Sequence, residues 1–531
     1  MDNTENTTMQ MIPGRSIGFI TLGCSLHEIL TIIKAEVKLF PRFQLYHDQD
    51  HPISSPVHVV LPENGLRLQF DGPDQRLRLI EVRDFAKAKL VYKDVEVYKA
   101  PEGVAEMMVG PTGPKFRHIY DKLLGPTYSG EYLPPTSDNG NAKGIYNLSY
   151  PGIAFNFPVQ HSAYSPKKDF ISLLSSSATG PSTSMAIFSG ESWQKARGTL
   201  FTATPPNPRT LSLTGKSKES GPDEIELVKI HGEGRIEFIR RSSPPFWIIL
   251  SETTPQDLIM ELGAPDSIYR KNDHRLLIHK ERRASDASDV SGGLSNDAHD
   301  DGLDSDSGSI VGTDNEEEWE DDEDAATEAN DREVAAAEHF YNYYHHGFDI
   351  LVSQPTQISP ASPTSLRREA DEHEEGELSA QPLNHLTATK IIFHGNIPGS
   401  YQFNRHRRSR WTLEHVPSEQ YKEPLNSEMK FADISGRLKE VFKSYYESEE
   451  EERLQQRGMA LNRGWGDSPG SSCELLGGWE DGSGPKRKFA NASSVNTDAG
   501  DGSVGNVELF GFPGMIFEVL KNGAVSCLTV Y

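Results

Sequence analysis

Tyr146-Asn-Leu-Ser-Tyr150, the turn Pro151-Gly152 and Ile153-Ala-Phe-Asn-Phe157 make an apolar strand, a bend and a second apolar strand. Further along, Phe340-Tyr-Asn-Tyr-Tyr344, a His-Gly turn and Phe348-Asp-Ile-Leu-Val352 repeat that order. Short apolar runs bounded by turn residues read as buried strands. Each hairpin follows a helical stripe. Phe116–Leu124 is a short amphipathic run stopped by Gly125-Pro126, and Leu258, Ile259 and Leu262 form a stripe behind Pro255, stopped by Gly263-Ala-Pro265. Proline is tolerated in a first helical turn, and Leu-Gly is a common helix end.

A third unit stands at the front of the chain. Leu26, Ile29, Leu30, Ile33 and Val37 recur at helical spacing, with Ser25 and Glu28 placed for a capping box and Pro41 as a stop. Strand runs follow at Phe43–Tyr46, Val57–Leu61, Gly65–Phe70 and Leu77–Val82, and Leu66-Arg-Leu-Gln-Phe70 alternates as a half-buried strand should. The expected fold class is therefore α+β: repeated units of one short helix packed on antiparallel strands, with long disordered insertions.

The expected organisation is a first helix-plus-sheet unit at 11–100, a second at 101–245 with a Ser/Pro-rich insertion at 161–222, and a third at 246–414 with insertions at 281–337 and 353–385. Within the first of these insertions, Ile171–Leu174 and Met185–Phe188 are the runs able to pack locally. Residues 415–505 read as mostly disordered linker apart from a helix near Ile434–Tyr446. Residues 506–531 read as a strand pair turning at Lys521-Asn-Gly523 and packing back on the body. Lengthening a connection is thermodynamically inexpensive, so insertions of this size are compatible with such a body.

The net charge of −25 belongs mainly to one segment. Between Asp286 and Glu338 there are 20 Asp/Glu against Arg332, giving −19 and leaving −6 for everything else. That remainder lacks the basic footprint of a nucleic-acid binder. Cys24, Cys473 and Cys527 are too few and too scattered for a disulfide framework or a zinc knuckle. No apolar stretch is long enough to span a membrane, and Met1–Arg15 lacks a signal-peptide core, so the expected location is cytoplasmic.

Known catalytic patterns do not emerge. Thr214-Gly-Lys-Ser217 imitates the end of a phosphate loop, but Thr210 stands where its first glycine belongs. No nucleophile elbow is present, and no cofactor, metal or catalytic residue is expected. An enzyme would need a site assembled from distant residues, with His345, His346 and His394 as the available groups. The clearest binding feature is Arg405-His-Arg-Arg-Ser-Arg410 followed by Trp411. Arg405, Arg407, Arg408, Arg410 and Trp411 suit a grip on phosphate groups of a lipid head, such as a phosphoinositide surface, or on an acidic partner segment. Arg282-Arg-Ala-Ser285 makes Ser285 a candidate phosphorylation site.

Met11-Ile-Pro-Gly-Arg-Ser-Ile-Gly-Phe-Ile-Thr-Leu-Gly23, Leu66-Arg-Leu-Gln-Phe-Asp71, Arg76-Leu-Arg-Leu-Ile-Glu81, Leu124-Gly-Pro-Thr-Tyr128, Leu148-Ser-Tyr-Pro-Gly152, Leu262-Gly-Ala-Pro265, Tyr341-Asn-Tyr-Tyr344, His394-Gly-Asn-Ile-Pro-Gly399 and Phe512-Pro-Gly-Met-Ile-Phe-Glu518, in this order, resemble the phagosome assembly factor 1 family. The resemblance implies a non-catalytic adaptor in autophagy at the phagophore assembly site, paired with a β-propeller autophagy protein and recruited peripherally to membrane. Older labels of that family imply Golgi-to-plasma-membrane trafficking at the trans-Golgi network. The resemblance carries no active-site residues.

Overall fold

The computed structural model describes residues 8–99, 112–135, 142–208, 223–270, 338–355, 385–416, 423–462 and 506–531. Ser285 and the acidic run lie outside them. The expected α+β class is what the structure shows.

The strands run in two rounds of the same order. The first opens with Met9–Ile12 (β1), Ser16–Ile17 (β2) and Ile20–Thr21 (β3). Helix Leu26–Ala35 leads into Gln44–Tyr46 (β4), Val57–Leu61 (β5), Leu66–Phe70 (β6) and Leu77–Val82 (β7). Leu90–Tyr92 (β8) and Val95–Glu96 (β9) return to β1, and β8 pairs parallel to it. The helical turn His118–Leu123 then leads into Glu131–Leu133 (β10), Lys143–Tyr150 (β11), Ile153–Gln160 (β12) and Ser184–Phe188 (β13).

The second round opens with Ile225–Ile230 (β14), Arg235–Arg240 (β15) and Phe246–Ile249 (β16). Helix Pro255–Leu262 leads into Ser267–Arg270 (β17), His339–Tyr343 (β18), Phe348–Ser353 (β19) and Thr387–His394 (β20). Trp411–Leu413 (β21) and Leu425–Asn426 (β22) return, β21 pairing parallel to β14. Helix Phe431–Phe442 leads into Met459–Asn462 (β23), Asn506–Phe512 (β24), Met515–Leu520 (β25) and Val525–Val530 (β26).

Each round makes a five-stranded sheet, β3-β2-β1-β8-β9 or β16-β15-β14-β21-β22, and an eight-stranded one. The eight-stranded sheets, β10-β11-β12-β13-β7-β6-β5-β4 and β17-β18-β19-β20-β26-β25-β24-β23, are pairs of four-strand meanders joined at their last strands. Among the described residues the helix-then-meander unit therefore occurs four times, adding helix Phe431–Phe442 with β23–β26 to the three legible in sequence. Three boundaries change accordingly. The boundary at residue 100 does not separate sheets, because β13 pairs with β7. The 161–222 stretch is not all insertion, since β13 sits inside the first large sheet. The 415–505 stretch contributes a helix and an edge strand to the second.

Local chemistry explains the helices. The Ser25 side chain accepts the Glu28 N–H at 3.2 Å, and Leu26, Ile29, Leu30 and Ile33 are fully buried, each contributing about 1.5–3 kcal/mol over exposure. The helix ends at Ala35, which leaves Val37 exposed. Thr254 and Asp257 cap one another reciprocally over Pro255, and Gly263 ends that helix at φ +81°. A large apolar core underlies each round, holding the Leu26–Ile33 stripe in the first and Leu258, Leu262, Ile434 and Leu438 in the second.

Candidate functional site

The connection 395–410, between β20 and β21, carries the basic run and lies between the two rounds. Its contacts to the first round are specific. Phe403 is buried within the first core, Ile397 packs with Ile53 of the first round as well as with Ala524 of the second, and the Asn404 carbonyl lies 3.2 Å from His27 Nδ1. Its contacts to the second round fix its course: Arg407 N–H donates to Tyr344 O and Ser409 N–H to His394 O, each at 2.8 Å. Gly347 sits beneath it at φ +93°, where an added Cβ would stand 2.4 Å from Arg407 O. This segment is a strap over the seam between the rounds.

The arginines of the strap are not an open patch, which corrects the expected phosphate grip. Arg407 and Arg408 are buried, and Trp411 is buried in β21 against Phe517. Arg407 donates to Ile225 O at 3.2 Å and lies 3.8 Å from Glu224. The same carboxylate receives Arg76 at 3.0 Å and Arg241 at 3.4 Å. Burial works against its charge, but Arg407, Arg76 and Arg241 hold Glu224 down to about 2. Arg408 reaches Gly72 O and Ser427 O at a long 3.5 Å each. Arg410, about a third exposed, pairs with Asp74 at 2.6 Å and with Glu428. Arg405 is half-buried. The acidic partners lie far away in the chain, so the sequence run alone looked free.

The histidines also regroup. His345 pairs with Asp266 at 2.6 Å, and His346 is buried with its ring stacked on Phe348. His394 joins neither. Its Nε2 donates to Asp349 Oδ2 at 2.9 Å, while His406 Nε2 donates to Oδ1 of the same carboxylate at 2.8 Å. The two imidazoles are cofacial, with centroids 3.7 Å apart and planes 9° off parallel. On its other side His394 Nδ1 lies 3.1 Å from Gln402 Oε1 and 3.3 Å from Cys527 Sγ. Burial opposes the charge on Asp349, yet His406 and His394 hold its carboxyl below the usual range. Asp349 and His406 were missed in sequence because nothing marks a lone Asp in an apolar strand, or a His among arginines, as partners.

Asp349, His394 and His406 have the donor types of a zinc site and are all buried. Their geometry fits protons better. A metal ion lies in the plane of each imidazole that binds it, and two parallel planes 3.7 Å apart share no such point. Ligand atoms at about 2.0–2.1 Å from a tetrahedral ion stand about 3.3 Å from one another, and the separations here are 2.8 and 2.9 Å. The order Cys527–His394–Asp349 also follows nucleophile, base and orienting carboxylate. Cys527 is only 6% exposed, so no substrate reaches its sulfur with the strap in place. The cluster is a closed clamp on the strap.

Large apolar side chains stand out at the margins of the eight-stranded sheets instead. Met260 and Ile259 lie on helix Pro255–Leu262, and Ile268 and Tyr269 lie on edge strand β17; Met260 is 83% and Ile268 57% exposed. Met459 is exposed on the opposite edge strand, β23, with Tyr445 and Leu454 exposed on the turn and helix before it. Exposed edges carrying apolar side chains are surfaces suited to protein partners. No helix among the described residues is long and apolar enough to cross a membrane.

Comparison with known proteins points to one family. A relative from Arabidopsis thaliana described as a PHAF1 protein is 27% identical over 51% of this chain and 60% of its own length. A PHAF1 protein of Drosophila melanogaster is 26% identical over 51% of this chain and 60% of its own length. A third, from Caenorhabditis elegans, is 26% identical over 26% of the chain and 28% of its own length. The matches thus span at most 60% of these relatives. No solved structure matches. The family model described as phagosome assembly factor 1 matches residues 16–294 and 383–531, and the chain belongs to that family.

Proposed function

We propose that this protein is a non-catalytic adaptor in autophagy that works at the phagophore assembly site through a protein partner, with membrane contact that is peripheral. One observation carries the reading. The cluster with the donor types of a catalytic or metal site, Asp349, His394, His406 and Cys527, is sealed, whereas Met260 and Ile268 project from a sheet margin. Membership of a family described as phagosome assembly factors supports the process. The partner implied by the resemblance is a β-propeller protein. Because Arg407 and Arg408 are buried in the seam, recruitment in this reading rests on the apolar margins rather than on the basic run.

The test is a chain carrying Met260→Asp and Ile268→Asp, compared with the unaltered chain in starved cells. Both side chains are exposed, so the thermal midpoint should hold. Capture of a β-propeller partner and formation of starvation-induced puncta should fall at least about tenfold, the scale of ~1.4 kcal/mol of binding. Undiminished capture and puncta would remove β17 and its helix from the account. Turnover of a substrate by the unaltered chain would remove the adaptor reading itself.

A further inference from the structure

The clamp on the strap has a property that its hydrogen bonds alone do not require. Asp349 comes from β19 and His394 from β20, both in the large sheet, whereas His406 comes from the strap. The carboxylate of Asp349 is buried and accepts from both imidazoles. One negative charge in such a place is balanced by one added proton shared between two rings. A second added proton would give two cations face to face at 3.7 Å, which a single carboxylate cannot offset. The ring that can leave is His406, since β20 is held on both sides by β19 and β26.

We propose that the Asp349–His394–His406 clamp is an acid-released latch: it fastens the strap, and through it the two rounds of the fold, while at most one proton is added, and a second proton frees it. Glu518 of β25, buried and opposite Cys527 in register, adds an acidic group on this face of the sheet. Cys527 and Gln402 approach His394 as neutral partners, the Tyr344 ring stands edge-on to His406 at 4.9 Å, and the charge of Arg405 opposes protonation of His406. Burial, the largest influence, likewise holds the His406 imidazole down at about 4. At the far end of the strap, His27 meets the Asn404 carbonyl, and Asp266 and Arg407 act on it with opposite signs. What the latch releases is defined by contact: Phe403 in the first core, and Asn396 and Asn404 against Gln75 and His27.

Hydrogen exchange of the full chain, read on peptides covering 395–410 and corrected for the intrinsic pH dependence of exchange, tests this. Strand β6 serves as the internal reference. Protection of the strap should fall at least about tenfold relative to β6 between pH 7.5 and pH 5. His406→Gln keeps an N–H for Asp349 and cannot be charged, so its strap should be protected equally at both pH values. Asp349→Asn should lose protection at both. His27→Asn should keep the pH dependence, which separates the latch from the far end of the strap. The proposal is overturned by equal strap protection at pH 7.5 and 5 in the unaltered chain. It is equally overturned by a pH response in His406→Gln as large as the original, or by loss of protection on adding EDTA at pH 7.5, which would place a metal in the clamp.

Discussion

Gln75 and Asn396 exchange two hydrogen bonds across the seam. The Gln75 side-chain amide donates to the Asn396 carbonyl, and the Asn396 amide donates to Gln75 Oε1, each at 2.8 Å. Both residues are buried, and both hold left-handed backbone, at φ 51° and 46°. That conformation is unfavourable for a side-chain-bearing residue, so the paired bonds and the fold around them hold it in place. Gln75→Ala removes one partner of each bond and leaves the Asn396 amide and carbonyl buried without it. An unsatisfied buried polar group costs about 1–3 kcal/mol. The expected loss is about 2–4 kcal/mol, read as a lower urea midpoint with an unchanged slope.

Glu224 is the common anion of Arg76, Arg241 and Arg407. Glu224→Gln keeps its shape and removes its charge, stranding cations in a buried place. Breaking a buried pair in this way costs about 3–5 kcal/mol. The pH dependence has a defined sign. The carboxyl is held at about 2 in the fold against an ordinary 4.5, so its contribution is complete above pH 4.5 and is lost as pH falls toward 2. Urea unfolding at pH 7 checks the first statement. Its repetition between pH 5 and 3 should show the variant losing less stability than the original chain.

Acid sensitivity should begin earlier than that. His27, His58 and His415 are all shifted downward, chiefly by burial, with His27 at about 4. A histidine kept neutral by the fold contributes fully above its ordinary value near 6.5, and that contribution fades as pH falls through the window below it. The thermal midpoint should be flat from pH 8 to 7 and decline steadily from 6.5 toward 4.5. His27→Gln should flatten part of that slope; a midpoint independent of pH over this window would contradict the neutral, buried state of these rings.

Two turn glycines separate space from backbone strain. Gly152 has φ +76°, and a Cβ there would meet Gly14 Cα at 2.3 Å; Gly523 has φ +78° with nothing within 4 Å. Gly523→Ala should cost only the backbone term, about 1 kcal/mol. Gly152→Ala adds a clash between two pieces of backbone and should cost about 1–3 kcal/mol more, in the range of overpacked sites. Parallel denaturation of the two variants gives the comparison.

Elements governed by near neighbours were readable in the chain. Pro255 with Thr254 and Asp257, the alternation of Leu66–Phe70, and the Pro151-Gly152 and His346-Gly347 turns all act within a few residues, and they appear as the local pattern requires. The fourth meander was harder to see because β23 and β24 are neighbours in space but lie on either side of residues 463–505. The run Met185–Phe188 was legible as able to pack, but its place as β13 beside β7 was not, because its partner strand lies about a hundred residues earlier. The site was the least legible part. Arg407 is explained by Glu224, Arg410 by Asp74 and His406 by Asp349, and no periodicity links such distant pairs. A run of arginines therefore has the same appearance in sequence whether its counter-charges are lipid phosphates or the protein's own carboxylates.

The position of β26 has a consequence for biosynthesis. It is an interior strand, seated between β20 and β25, yet the ribosome makes it long after β20. Throughout that interval the nascent meander β17–β20 displays an unsatisfied edge at the point where two halves of the sheet will later meet. Translation delivers residues at about 5–20 per second, so the edge stays open for many seconds.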